Sequence, residues 1–335
     1  MTIPRVRVAA TAYAVPPSIE SVEAVMEREK ARISAALEPL GQHSRTKALE
    51  GLGLSRVHVC GAKQPYDLVL EAARIAIEEA GLRAGDLHLI IDYSTLPGEN
   101  FFYTSFAHLL SRDLDTEASL NLTFKAGGCA GLHMAIKTAL AWMAVDENLR
   151  TALLVTGDTA PEGSRSLLPV TVQGDAGSAV VLTRDDSKGA VVLDVEVMTL
   201  GHLHDVIALA TVESRLQIRV DSARMENEVM PVYYLTMLQL IEKVLARAKL
   251  SVGDIDHFVY SNISQRDRDS FRRMLNLPAS KMPQTAMSEY GHTFASDLVV
   301  NYTDLCRQGR ISPGQLVLFA SVGIGFMWGV TLART

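Results

Sequence analysis

A chain of 335 residues with 48% hydrophobic and 21% charged residues has the apolar content for a sizeable core, which excludes disorder. Its net charge of −6 argues against nucleic acid or an anionic membrane surface as a partner. The three cysteines, Cys60, Cys129 and Cys306, are odd in number and far apart; this excludes a disulfide framework or a clustered-cysteine metal site and fits a reducing cytoplasm.

The N-terminal stretch lacks the apolar run of a signal peptide, and no segment reaches ~18 uninterrupted apolar residues. Arg5–Tyr13 reads as a strand stopped by Pro16-Pro17, and Ser21–Ala36 as a helix of mixed charge. Tyr66–Ala80 carries apolar residues at helical spacing and ends at Gly81. Leu87–Tyr93 reads as a buried strand, Phe101–Leu114 as a helix, and Ser119–Phe124 as a strand that runs into Lys125–Thr138, KAGGCAGLHMAIKT. There Cys129 lies between Gly127-Gly128 and Ala130-Gly131, followed by a helix apolar on nearly every side, the pattern of a core helix. The glycines permit a sharp turn and close approach. A cysteine at a helix N-terminus meets free N–H groups and a dipole that favour the thiolate, although a free cysteine can equally be a small buried hydrophobe. Thr151–Thr156 reads as a further strand, and Gly174–Leu182 as a glycine turn opening onto another. Strands alternating with helices at this spacing predict an α/β protein with a largely parallel sheet covered on both faces.

The second half repeats the first. AGLRAGDLHLIIDY at Ala80–Tyr93 recurs as AKLSVGDIDHFVYS at Ala248–Ser261, and Leu82/Leu250, Gly85/Gly253, Asp86/Asp254 and Leu87/Ile255 all stand 168 residues apart. The cysteine helix with its following strand matches Asp297–Gln308 followed by Leu316–Ser321. Two copies of one α/β unit, residues 1–184 and 185–335, are therefore expected about a pseudo-twofold axis. On that axis the start of the cysteine helix faces the equivalent start near Gly291–Asp297. His292 and Asp297, Ser261 and Asn262, and the glycine-lined backbone of Ser321–Gly329 then converge on Cys129. Gly323 and Ile324, with the Cys129 amide, are the candidate oxyanion donors. A cysteine beside a histidine oriented by a carboxylate is the logic of nucleophilic acyl transfer.

At these residues the chain resembles the ketoacyl synthase III group of the thiolase superfamily. The matching pieces are Gly53-Leu54 with Arg56, the GGCAG turn, Gly174–Gly177, Tyr290–Thr293, Arg310–Leu318 and the Gly323–Gly329 ending. The resemblance implies a five-layered αβαβα fold, a homodimer, and an acyl group carried on the cysteine from coenzyme A or an acyl carrier protein, with no permanently bound cofactor. It implies that Phe102 reaches the neighbouring subunit's acyl pocket. Condensing members pair the cysteine with a histidine in an HQAN-like loop and an asparagine in a GNT turn. Here those positions are Ser261 and His292, so both partners of the cysteine differ. A branch associated with secondary metabolism, polyketides and antibiotics among its products, has a histidine in that turn and an aspartate shortly after. GHTFASD matches it, and its members resemble acyltransferases that work without decarboxylation. The tryptophan–arginine clamp for coenzyme A is not evident around Arg45–Arg56.

A decarboxylating condensing enzyme with a rearranged site, and an inactive partner subunit of a ketosynthase heterodimer, are the alternatives. Retention of both Cys129 and a base argues against the inactive subunit. His133, one turn beyond Cys129, is a rival base in a helix that should be buried. The His202, His204, Asp205 group lacks a further ligand for a metal site and reads as a loop.

Overall fold

In the computed structural model, residues 5–38, 50–61, 64–96, 105–116, 120–125, 127–184, 188–212, 215–283 and 287–335 are described. Phe102 and residues 45–49 of the Arg45–Arg56 stretch lie outside them.

Nine strands form the main sheet: β1 (Arg7–Ala14), β2 (Leu89–Asp92), β3 (Leu120–Thr123), β4 (Thr151–Asp158), β5 (Ala176–Thr183), β6 (Ala190–Thr199), β7 (His257–Tyr260), β8 (Leu316–Gly323) and β9 (Met327–Arg334). Their spatial order is β7-β8-β9-β6-β1-β5-β4-β2-β3. The duplication is written in this order. On one side β2 runs parallel to β4, and β4, β5 and β1 follow antiparallel. On the other, β7 runs parallel to β8, and β8, β9 and β6 follow antiparallel. The halves join where β1 meets β6 through two residue pairs, Arg7–Val191 and Val8–Ala190.

The sheet is thus mixed, not the largely parallel one that the alternation of strands and helices predicts. Among the described strands of this sheet only β2–β3, β2–β4 and β7–β8 pair parallel. The cause is connectivity. Residues 159–175 return from β4 to β5, and residues 324–326 join β8 to β9, with no crossover helix; parallel pairing needs such a crossover.

Helices fill the layers between and outside the half-sheets. Those used below are α1 (Val22–Arg28), α2 (Lys30–Leu37), α3 (Pro65–Glu79), α4 (Phe106–Asp113), α5 (Gly131–Val145), α6 (Met230–Ala248), α7 (Gln265–Met274) and α8 (Asp297–Arg307). Strand residues alternate between faces, so β4 sends Leu153 and Val155 to an outer core with α3 and α4, and Ala152 and Leu154 to the middle. The middle layer is α5 and α8, whose Leu132, Ile136, Leu298 and Tyr302 pack against both half-sheets. On the far side, Leu318 and Val330 meet Leu240 and Ile241 of α6 and Phe271 of α7. The order is αβαβα. The segments Gly128–Val145 and Ser222–Ala248 are apolar and long enough to span a membrane; the first is 56% buried, as a middle-layer helix must be.

The predicted helix over Ser21–Ala36 is two helices. Glu29 leaves helical geometry between α1 and α2, and its carboxylate accepts the backbone N–H groups of Arg165 and Ser166.

Candidate active site

Two turns carry the site, one from each half. Gly128–Ala130 forms a 3-10 turn leading into α5, and Phe294–Ser296 forms one leading into α8. Gly128 has φ of +50°, and a Cβ there would stand 2.5 Å from the Ile324 nitrogen. A Cβ on Gly323 would stand 2.1 Å from the Gly127 carbonyl oxygen and 2.8 Å from the Cys129 nitrogen. Both residues have to be glycine for the backbones of 127–130 and 323–324 to touch. The Gly323-Ile324 segment and the Cys129 amide therefore lie side by side.

Cys129, His292 and Asp297 are 4%, 3% and 1% exposed. His292 Nε2 lies 3.3 Å from Cys129 Sγ, and His292 Nδ1–H donates to Asp297 Oδ2 at 2.6 Å. The same carboxylate takes the Asn262 N–H at 2.6 Å on Oδ2, and the Thr293 N–H and hydroxyl at 2.7 and 2.8 Å on Oδ1. A carboxylate so satisfied is fixed, and so is the tautomer of the ring it holds. Burial opposes protonation of His292, yet the charges of Asp297 and Cys129 outweigh it and hold the ring's pKa well above 6.5. His292's backbone is pinned as well: its N–H donates to Val172 at 3.1 Å, and its carbonyl accepts from Gly174 at 3.0 Å.

The other expected residues divide. Ser261 is 1% exposed and its hydroxyl has no partner among the described residues. Asn262 differs: its carboxamide exchanges hydrogen bonds with Asn301, at 3.3 and 2.9 Å, and is committed to the protein rather than to a ligand. Phe102 lies outside the described residues. His133 is buried and bonded to Thr331 and Ser321 hydroxyls at 2.7 and 3.1 Å, and burial pushes it down to about 3. It is a neutral structural residue. Asp205 pairs with Arg224 at 2.7 Å in an exposed turn with His202 and His204, and no metal-binding cluster occurs among the described residues.

Sequence reasoning missed the scaffold beneath His292. The Asp175 carboxylate takes the Arg165 guanidinium at 2.7 and 3.0 Å and the Cys60 and Ala160 N–H groups at 2.6 and 3.0 Å. Arg165 in turn donates to the Gln173 carbonyl at 3.0 Å, and Gln173 is bridge-paired with His292. The GDAG turn was the visible signal for Asp175; nothing local marks Arg165. Asp267 was also missed; burial pushes its carboxyl up to about 6, and it accepts the Tyr234 hydroxyl at 2.8 Å.

Two like halves folded over a shared pair of helices, with a cysteine and a histidine meeting at the seam, define a thiolase-like protein. Residues 245–335 match the family described as 3-oxoacyl-[acyl-carrier-protein (ACP)] synthase III C terminal. The β-ketoacyl-[acyl-carrier-protein] synthase III of Hyphomonas neptunium is 29% identical over 298 residues, 85% of this chain and 88% of that protein. The 3-oxoacyl-[acyl-carrier-protein] synthase III of Aquifex aeolicus shares the fold with a TM-score of 0.81 at 20% identity, covering 98% of this chain and 100% of that one. ChlB3, described as an acyltransferase, has a TM-score of 0.82 at 23% identity, over 99% and 98% of the two chains. OleA of Xanthomonas campestris, with bound lauric acid and lauroyl-CoA, has 0.81 at 15% over 100% of both. These likenesses to solved structures speak for the fold alone. In sequence the chain is similar to the β-ketoacyl synthase III enzymes, and in fold it is thiolase-like.

Proposed function

We propose that the enzyme takes an acyl group from an acyl-CoA or acyl carrier protein onto Cys129 and passes it, without decarboxylation, to a hydroxyl, amine or carrier-protein thiol. The observation that carries this reading is His292 Nε2 3.3 Å from the thiol with Asp297 behind it. One base serves proton transfer to and from a nucleophile. Condensation instead asks for two donors on a thioester oxygen while an enolate forms.

In the resting pair Cys129 is the nucleophile and His292 carries the proton. Sγ attacks the thioester carbonyl, and the negative oxygen faces the Cys129 and Ile324 N–H groups beside Gly323. The carbon–sulfur bond to the donor breaks and the departing thiolate takes the proton from Nε2. The Cys129 thioester has no charge, so one of the two attractions that raise the pKa of His292 is gone. The neutral ring then removes a proton from the acceptor, which attacks the acyl carbon. The bond to Sγ breaks and the thiolate–imidazolium pair returns.

On this reading the chain works with no bound cofactor beyond the coenzyme A or phosphopantetheine of its donor, as a cytoplasmic homodimer in polyketide or other secondary-metabolite biosynthesis. It divides into functional halves at residues 1–184 and 185–335, the first supplying the nucleophile and the second the histidine loop. The second reading is a decarboxylating synthase III, favoured by what the sequence relatives are named. The test is intact-protein mass spectrometry with a panel of acyl-CoA donors, then with hydroxyl, amine and thiol acceptors. Acyl mass on Cys129 that leaves only when an acceptor is added supports transfer; no acyl mass on that residue overturns it.

A further inference from the structure

Gln173 is wholly buried, and neither its Oε1 nor its Nε2 has a partner among the described residues. Its backbone leaves it no freedom to move away, since its N–H donates to Arg165 at 2.9 Å and its carbonyl accepts from the Arg165 guanidinium at 3.0 Å. Gln173 and His292 form a parallel bridge. Paired residues on neighbouring strands point to one face, with the strands about 4.8 Å apart. The carboxamide therefore stands beside the imidazole that reaches Cys129. From the other half of the molecule comes Ser261, 1% exposed, with an unpartnered hydroxyl. It immediately precedes Asn262, whose N–H is on the Asp297 carboxylate. Three buried polar atoms with no partner among the described residues thus sit on the two segments that hold His292 and Asp297. Buried polar groups left unpaired are costly.

We propose that Gln173 and Ser261 form a hydrogen-bonding subsite that selects acyl groups bearing a hydroxyl or carbonyl close to the thioester. A carboxamide and a hydroxyl each both donate and accept, so they pair with such a substituent in either role. An alkyl chain leaves all three atoms desolvated and unmatched. A site built to hydrogen-bond its substrate rejects the analogue that lacks the group. The proposal rests on Cys129 receiving the acyl group and is independent of whether that group is then transferred or condensed.

The test compares the initial rate of Cys129 acylation from 3-hydroxybutyryl and butyryl thioesters, offered on coenzyme A and on carrier protein, by intact-protein mass spectrometry. Wild-type protein should prefer the hydroxyacyl group by at least about tenfold. Gln173→Met, nearly isosteric, should bring the ratio close to one, and Ser261→Ala should lower it in part. Ser261→Ala carries the test if Gln173→Met fails to fold. Normal loading with the same ratio in wild type and variants overturns the subsite and leaves acyl transfer standing. No loading of either group on the wild-type protein overturns the acyl-enzyme reading and the subsite with it.

Discussion

The turns Gly128–Ala130 and Phe294–Ser296 occupy equivalent places in the two halves, yet they are furnished in opposite ways. Both bend through positive φ, +50° at Gly128 and +53° at Phe294. Glycine adopts this freely, whereas a bulky residue there is strained by about 1–3 kcal/mol. The second turn is held by what surrounds it. Asp297 opens α8 and accepts bonds from His292, Thr293 and Asn262, while the first turn of α5 has no acidic residue. The first turn is open for backbone approach, with a thiol at the helix start. The second is tied down so that it can aim a ring at that thiol. The two turns share a geometry, and under the proposed function their differences make the first the seat of the nucleophile and the second the seat of the base.

Breaking the open turn should have the largest effect. Cys129→Ala should remove the acyl-enzyme and reduce turnover by at least about 10³-fold, with the melting temperature almost unchanged, as calorimetry would show. Cys60, pushed up to about 12 by burial, should stay unlabelled by iodoacetamide at neutral pH; labelling there in place of Cys129 would contradict this.

Breaking the tied turn should separate the half-reactions. His292→Ala should slow acyl release by about 10²–10⁴-fold and loading by less, so acyl-enzyme accumulates in a quench time course. Asp297→Asn should give a milder kinetic defect of the same kind, with a stability loss of about 2 kcal/mol from the disrupted buried network, read by denaturant titration.

The smallest effect is on pH dependence, and it sets His292 against His133. A raised folded pKa means that protonated His292 stabilises the fold fully below 6.5, and that this contribution is lost as pH climbs through the raised value. His133, held at about 3, acts oppositely: the unfolded chain binds its proton first, so stability falls as pH drops from 6.5 toward 3. Melting curves of wild type and His292→Ala should converge on the alkaline side and diverge below it.

Much of this comparison was legible in the sequence because the repeat brings the starts of both helices to one place, and because glycine marks the turn at Gly128 that needs it for close approach. The strands were legible as apolar runs. Their mixed directions were not, since direction depends on residues 159–175 and 324–326, which carry no helix to reveal their path. The break at Glu29 was hidden because its cause, the N–H groups of Arg165 and Ser166, lies more than 130 residues away. Asn262 could be placed near the site, but its exchange with Asn301 is a tertiary fact. Gln173 drew no notice, because burial without a partner cannot be read from composition.

The central claim is that a tied histidine and a single thiol transfer acyl groups and do not condense them. The direct measurement is the fate of carboxyl-labelled malonyl thioester offered to the acylated enzyme. Acyl transfer predicts that the label stays in the malonyl group while the acyl group moves to a hydroxyl, amine or thiol acceptor. Labelled carbon dioxide released one-for-one with a β-keto product would contradict it.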